Sequence, residues 1–169
     1  DKPSQEIKKR RESAGQPETL KKEDIKNARE WGAVIARKFI ADAHDAAEGA
    51  EPDNSEMILQ RRLLLSFTAT VGFEQFCRDD ALCGIAQKSF IDTVKKADPE
   101  LYRSAGDTGA FSFYYLAYRR GSEIDRRIGQ TFAMLCSHDG DPVYQELGEA
   151  LYCWFLSAVR KSATELGLR

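Results

Sequence analysis

The chain has 169 residues, the size of one ordinary domain, and a chain of this length removes about 70% of its unfolded surface from water. Its composition, 42% hydrophobic and 31% charged residues, is typical of a soluble globular protein and excludes a disordered tail. The formal net charge is −2, so no overall field favours nucleic acid or anionic lipid. The longest strictly apolar runs, 113–118 and 151–156, are far shorter than the about 20 residues that span a membrane.

The cysteines indicate the cellular compartment. Cys77, Cys83, Cys136 and Cys153 fit neither the spacing of a CxxC redox motif nor that of a paired zinc knuckle. A secreted disulfide scaffold would be smaller and richer in cysteine. Residues 1–4 also lack the character of a secretory signal. We therefore expect free thiols among core hydrophobes and a cytoplasmic location.

The first 22 residues differ from the rest of the chain. They hold seven Lys or Arg residues, four acidic residues and two prolines, with almost no apolar periodicity. This composition predicts a basic mobile arm over residues 1–21, or a frayed short helix, followed by a single helical domain over residues 22–169.

From residue 22 onward the apolar residues recur at steps of three and four, which is typical of amphipathic helices. The first stripe begins at Ile25 and ends at Ala46, with Trp31 beside it. The next helix, at about 56–76, carries apolar side chains almost all round and no continuous polar face. Because such a helix is buried in a globular protein, we predict that it is the central element.

The later segments have recognisable starts and stops. Asp80 is a candidate N-cap for a third helix, and Asp98-Pro99 and Asp141-Pro142 each place an N-cap before a proline at the first helical position. Further helices are predicted at about 108–120, from Ser122 onward, and up to Gly167.

No alternating period-two run occurs, so a sheet is not expected. The sequence predicts an all-α fold, a compact bundle of six or seven helices around the central buried helix at about 56–76. Helix starts near Asn54, Asp98 and Asp141 are almost evenly spaced, which leaves open three stacked helical hairpins.

The usual catalytic signatures are absent from the sequence. It has no phosphate-binding glycine loop, no nucleophile elbow and no HExxH or Glu-x-x-His pair. His44 is expected to be solvated, and Cys136 with His138 could supply only two metal ligands. We therefore predict no catalytic residue, no cofactor and no metal, and favour a protein that is not an enzyme.

One predicted helix carries a row of aromatic residues. Phe111, Tyr114, Tyr115 and Tyr118 share one face, while the opposite face carries Phe113, Leu116 and Arg120. Tyrosine buries a large ring and keeps a hydroxyl that needs a partner, so the row suits a contact surface or a pocket wall. The alternative is a helix packed between its neighbours, with the hydroxyls reaching water at the rim.

Charged residues on apolar faces are the next candidates. Glu74 projects from an apolar stripe of the central helix, where a carboxylate would need a cation, hydrogen-bond donors or a raised pKa. Arg62 is likewise a charged residue among apolar neighbours of that helix. Arg119 and Arg126 belong to doublets on either side of Gly121-Ser122 and could bind an anion at the next helix N-terminus. Ion pairs with neighbouring acidic residues are the alternative.

The segment 98–120 has the lengths of a helix-turn-helix motif. Its second helix begins with residues 109–113, which include neither an arginine nor an asparagine to read bases. With a net charge of −2, nucleic acid is therefore an unlikely partner.

We interpret the chain as a cytoplasmic, non-enzymatic helical domain that binds another protein or itself. The contact surface would include the helix of Tyr114, Tyr115 and Tyr118, and the basic arm. The alternative is a small-molecule-binding protein or enzyme whose pocket is lined by these tyrosines, Glu74 and an arginine. A helix-turn-helix regulator is the third interpretation.

Overall fold

The computed structural model describes residues 19–106 and 108–169, and every regular element in these ranges is helical. It contains one 3-10 turn, Pro52–Asn54, and seven α-helices: α1 (Lys22–Glu48), α2 (Ser55–Phe76), α3 (Asp80–Ala97), α4 (Pro99–Ser104), α5 (Thr108–Arg119), α6 (Ile124–Leu135) and α7 (Pro142–Glu165). The predicted all-α bundle is confirmed. The predicted basic arm falls mainly on residues 1–18, which lie outside the described residues.

Helix α2 is the centre of the bundle and contacts α1, α3, α5, α6 and α7. The consecutive residues Leu63, Leu64 and Leu65 are all buried, and because successive side chains diverge by about 100° they face three directions. Thr68, also buried, donates its hydroxyl to the carbonyl oxygen of Leu64 at 2.8 Å. Burial does not extend to the ends of α2, where Glu56 and residues 74–75 are exposed, so the prediction of an entirely covered helix is wrong there.

The most extensive helix contacts do not follow the order of three successive hairpins. Helix α1 packs on α3, α6 on α7, and α2 on α7, whereas the sequence neighbours α2 and α3 share a small interface. A bundle therefore describes the fold better than three equivalent stacked hairpins. At the α1–α3 crossing, a Cβ on Gly32 would overlap the carbonyl oxygen of Ala86 and lie 2.8 Å from Cβ of Ser89. Only glycine permits this approach of the two backbones.

Trp31 lies in the core rather than beside the apolar stripe. Its side chain is fully buried, and its ring meets Phe73 of α2 edge-on with the centroids 4.8 Å apart. The indole Nε1 donates to the carbonyl oxygen of Val159 on α7 at 2.9 Å, which satisfies a donor that would be costly to bury alone. Trp31 thereby joins α1, α2 and α7.

Aspartates begin three of the helices, as the sequence predicted for two of them. Asp98 accepts the amide N–H of Leu101 at the start of α4, and Asp141 caps α7 in the same way. Helix α3 is capped by Asp79, one residue before the predicted Asp80. Asp98 also accepts a hydrogen bond from His44 Nε2 at 2.9 Å, so His44 is paired although more than half of its side chain is exposed. This contact fixes the start of α4 to α1.

The cysteines differ in burial, and all four are free thiols. Cys136 is buried, Cys77 and Cys83 are half-buried, and Cys153 is exposed, so the expectation of core cysteines fails for Cys153. Among the helices of the described ranges, none has the length and apolarity needed to cross a membrane.

Gly32→Ala should destabilise the protein, because its Cβ would force α1 away from the backbone of α3. Overpacking of this kind costs typically about 1–3 kcal/mol of unfolding free energy, which urea denaturation measures. Gly84→Ala in α3 is the matched control. A Cβ at that position meets nothing within 4 Å, and the better helix former should stabilise by about 0.5–1 kcal/mol. Equal stability of Gly32→Ala and the parent would contradict the close approach.

The Asp98 contact should make stability depend on pH. Its hydrogen bond with His44, and secondly that with the Leu101 amide, lower the pKa of Asp98 below its usual value. Because its folded-state pKa is the lower one, Asp98 contributes stability above the unfolded-state value and loses it as the pH falls through the folded-state pKa. Asp98→Asn should therefore reduce the fall in unfolding free energy below about pH 4, and His44→Ala should reduce it in part. Urea denaturation at a series of pH values tests this, and unchanged profiles would refute it.

Candidate functional site

The aromatic face of α5 packs against Phe67 of the central helix. Ring centroids of Phe111, Tyr114, Tyr115 and Tyr118 lie 5.9, 5.3, 5.0 and 6.3 Å from that of Phe67. Tyr114 is stacked on the ring, and the other three meet it edge-on. The four residues therefore share one face, as their spacing predicted, and that face points into the bundle.

Tyr114 is not available to a partner. Its side chain has no exposed surface, and burial raises the pKa of its hydroxyl far above the usual value. Within the described ranges that hydroxyl has no hydrogen-bond partner. Tyr115 and Tyr118 are half-buried at the rim. The interpretation of the three tyrosines as one contact surface is therefore wrong for Tyr114.

Four predicted residues lie near one another at the end of α2. The pKa values of Tyr115 and Tyr118 are raised first by burial and then by the negative charge of Glu74. The guanidinium of Arg119 lies 5.6 Å from the centroid of the Tyr115 ring. Glu74 itself is exposed, as is Gln75, although Phe73 before them is buried. The expectation that the Glu74 carboxylate lies in an apolar environment is therefore wrong. Glu74, Tyr115, Tyr118 and Arg119 form a cluster at the surface.

Arg126 does not contribute to an anion-binding helix start. Helix α6 begins at Ile124 rather than at Ser122, and its N-cap is Glu123 in a left-handed conformation with φ 51°. Arg126 pairs with Glu123 at 3.6 Å. Arg127 Nε donates to the carbonyl oxygen of Ser122 at 2.9 Å. For Arg126 the ion-pair alternative is therefore the correct one.

The remaining candidates for chemical reactivity are the histidine and cysteine side chains. No group of three or more His, Cys, Asp or Glu side chains in the described ranges is arranged to hold a metal ion. His138 stacks on the ring of Tyr144 with centroids 3.9 Å apart. Burial is the main cause that raises the pKa of Cys83 to about 11 and of Cys136 to about 12. These two thiols therefore stay protonated at neutral pH and are poor nucleophiles.

Helices α4 and α5 do not form the packed pair of a helix-turn-helix motif. The main contacts of α4 are with α3, and those of α5 are with α2 and α6. The outer face of α5 also presents Phe113, with 48% of its surface exposed, rather than a base-reading side chain. The packing thus gives no support to a DNA-reading helix at this position.

A groove with an apolar α5 side and a largely polar α6 side lies on the outer surface of these two helices. Leu116 and Phe113 on α5 are 62% and 48% exposed, and Met134 on α6 is 38% exposed. The groove has a volume of about 280 Å³, and Arg120 and Arg127 also line it. The sequence placed Phe113, Leu116 and Arg120 on one face but gave no signal for the α6 side. That side is largely polar, so no apolar periodicity marks it.

A second concavity, of about 230 Å³, lies among the first five helices. Phe39, Phe90 and Phe111 form part of its wall, from α1, α3 and α5. None of the six predicted site residues lines it. The tyrosines, Glu74 and the arginines therefore do not form the walls of this cavity.

Comparison of the chain with protein-family models, with curated proteins and with solved structures finds no match. The function has to be inferred from the geometry and chemistry of the molecule itself. The groove and the cavity are two places where the described residues leave apolar surface within reach of another molecule.

Tyr114→Phe should leave the unfolding free energy unchanged or raise it by up to about 1 kcal/mol, because the hydroxyl is buried without a partner. Tyr114→Ala should lower it by about 3–5 kcal/mol, since the ring stacked on Phe67 is lost. Urea denaturation of both variants measures the difference. If Tyr114→Phe lowered stability by more than about 1 kcal/mol, the hydroxyl would have to be hydrogen-bonded.

Proposed function

We propose that this chain is a protein-interaction module that binds an amphipathic helix of a partner protein in the groove between α5 and α6. The exposure of Phe113 and Leu116 carries the proposal. Large apolar side chains clustered on a surface and rimmed by polar residues mark protein-interaction sites. The proposal keeps the function predicted from the sequence and moves its contact surface to the opposite face of α5.

The shape of the groove suits a helix. Residues 113, 116 and 117 of α5 and residue 120 directly after it form one stripe, and residues 127, 130, 131 and 134 form another on α6. Each stripe has the spacing i, i+3, i+4, i+7, which places its members on one side of a helix. Two such stripes form a trough in which a third helix lays its own apolar face.

The charged residues at the groove indicate where the partner helix carries its own charges. Arg120 and Arg127 lie on either side of the turn between α5 and α6. Arg120 forms no ion pair with any residue of the described ranges. Asp139 lines the groove beyond Met134. A helix with acidic residues at one end fits this arrangement, and the opposite charges would speed its association and fix its direction.

The proposed setting is the cytoplasm. The four free thiols support this placement, because cysteines stay reduced there. A second copy of the chain is the competing occupant of the groove. The net charge of −2 gives no overall electrostatic attraction between copies, so we favour a different protein.

Leu116→Glu should weaken binding of a synthetic helical peptide that has an apolar i, i+3, i+4, i+7 stripe and glutamates at one end. A charge in the centre of the groove cannot be desolvated cheaply, so we expect a loss of at least about tenfold in affinity. Fluorescence anisotropy of the labelled peptide measures it. The thermal midpoint should change little, because Leu116 is mostly exposed.

Val143→Glu is the matched control, since Val143 is 71% exposed on α7 and does not line the groove. It should bind the peptide like the parent. A peptide with lysines in place of the glutamates should bind more weakly than the acidic one. Failure of the parent to bind the acidic peptide, or equal binding of both, would refute the proposal. A dimer in light scattering that Leu116→Glu dissociates would replace it with self-association.

A further inference from the structure

The cavity among α1 to α5 has the size of a small organic molecule. Its volume is about 230 Å³, whereas an apolar cavity of about 150 Å³ is enough to hold benzene. Most of the wall is apolar, formed by Phe39, Phe90, Ile91, Val94, Tyr102 and Phe111. A substituted aromatic ring therefore fits this space and finds ring faces and methyl groups on its sides.

One corner of the cavity is polar and incompletely hydrogen-bonded. Thr70 Oγ1 donates to the carbonyl oxygen of Ser66 at 3.1 Å and accepts from Gln87 Nε2 at 3.2 Å. Gln87 Oε1 is buried and has no partner in the described ranges, although buried acceptors nearly always have one. The terminal amide torsion of glutamine is broad. Rotation about this torsion, which also moves Nε2 relative to Thr70, turns Oε1 toward the cavity, where a ligand O–H or N–H can donate to it.

The wall of the cavity disfavours charged ligands, and its mouth controls access from the solvent. Among the described residues that line it, none is Asp, Glu, Lys or Arg. A charged ligand would therefore find no counter-ion among these residues, which disfavours its transfer from water. Ile91 and Tyr102 are 36% and 37% exposed and give the cavity access to solvent. The Lys95 ammonium lies outside, 5.5 Å from the centroid of the Tyr102 ring.

We propose that this cavity binds a small, uncharged aromatic molecule that carries one hydroxyl or N–H group, of the phenol or indole class. The ring occupies the apolar space, and its donor group satisfies Gln87 Oε1. The inference is independent of the groove, because Phe113, Leu116 and Met134 do not line the cavity.

The test compares phenol with toluene and benzoate, using isothermal titration calorimetry on the full chain. Phenol should bind more tightly than toluene, which lacks the donor, and benzoate should not bind. Gln87→Leu removes the acceptor and keeps the side-chain size. The Gln87→Leu variant should bind phenol with an affinity at least about tenfold lower than the parent does, while it binds toluene no more weakly than the parent. This reversal of preference is a readout that simple loss of folding would not produce.

Two further variants complete the experiment. Ile91→Trp should fill the mouth and abolish binding of both phenol and toluene. Lys88→Ala changes an exposed neighbour of Gln87 that does not line the cavity, and should bind both like the parent. No binding of phenol, equal losses of phenol and toluene in Gln87→Leu, or binding of benzoate as tight as that of phenol would each overturn the proposal. Phenol binding that persists in Leu116→Glu would separate this outcome from that of the groove.

Discussion

The bundle depends on one requirement, that the middle of α2 be covered on every side. Its consecutive leucines 63–65 leave no face that tolerates water, so the burial of each needs a different neighbouring helix. Helices α1, α3, α5, α6 and α7 meet that requirement together. The Trp31 indole, bonded to a carbonyl of α7, and the glycine at the α1–α3 crossing let the covering helices come close enough to exclude water.

The groove and the cavity both result from the way in which the helices around α2 pack. Helix α5 directs its aromatic face at Phe67, and the described residues place no further helix over its outer face. Phe113 and Leu116 consequently remain in contact with solvent. Helix α4 packs mainly on α3, whereas α5 packs on α2 and α6. The cavity lies between these two groups, with Tyr102 of α4 and Phe111 of α5 in its wall.

Helical periodicity explains why so much of the fold was predictable. The stripes gave the helix positions to within a few residues, the all-round apolar character of 56–76 identified the centre, and the spacing of Tyr114, Tyr115 and Tyr118 placed them on one face. The same argument failed for Glu74, because a stripe does not reveal that one side of the last turn of α2 stays exposed while Phe73 in that turn is buried. It also missed the groove, since Gln130 and Thr131 are polar. The cavity needs residues from five helices, and no local pattern encodes their meeting.

The anchoring of α5 bears on how the groove would bind. Four aromatic contacts to Phe67 hold the inner face of this helix, so its outer stripe is presented by a fixed element rather than by a loop. A surface already in its binding conformation loses little conformational entropy on association. Phe111 belongs to both that anchor and the cavity wall, whereas Phe113, two residues on, faces the groove. The burial demanded by α2 thus fixes α5 in place, and α5 in turn supplies a wall to each of the two concavities.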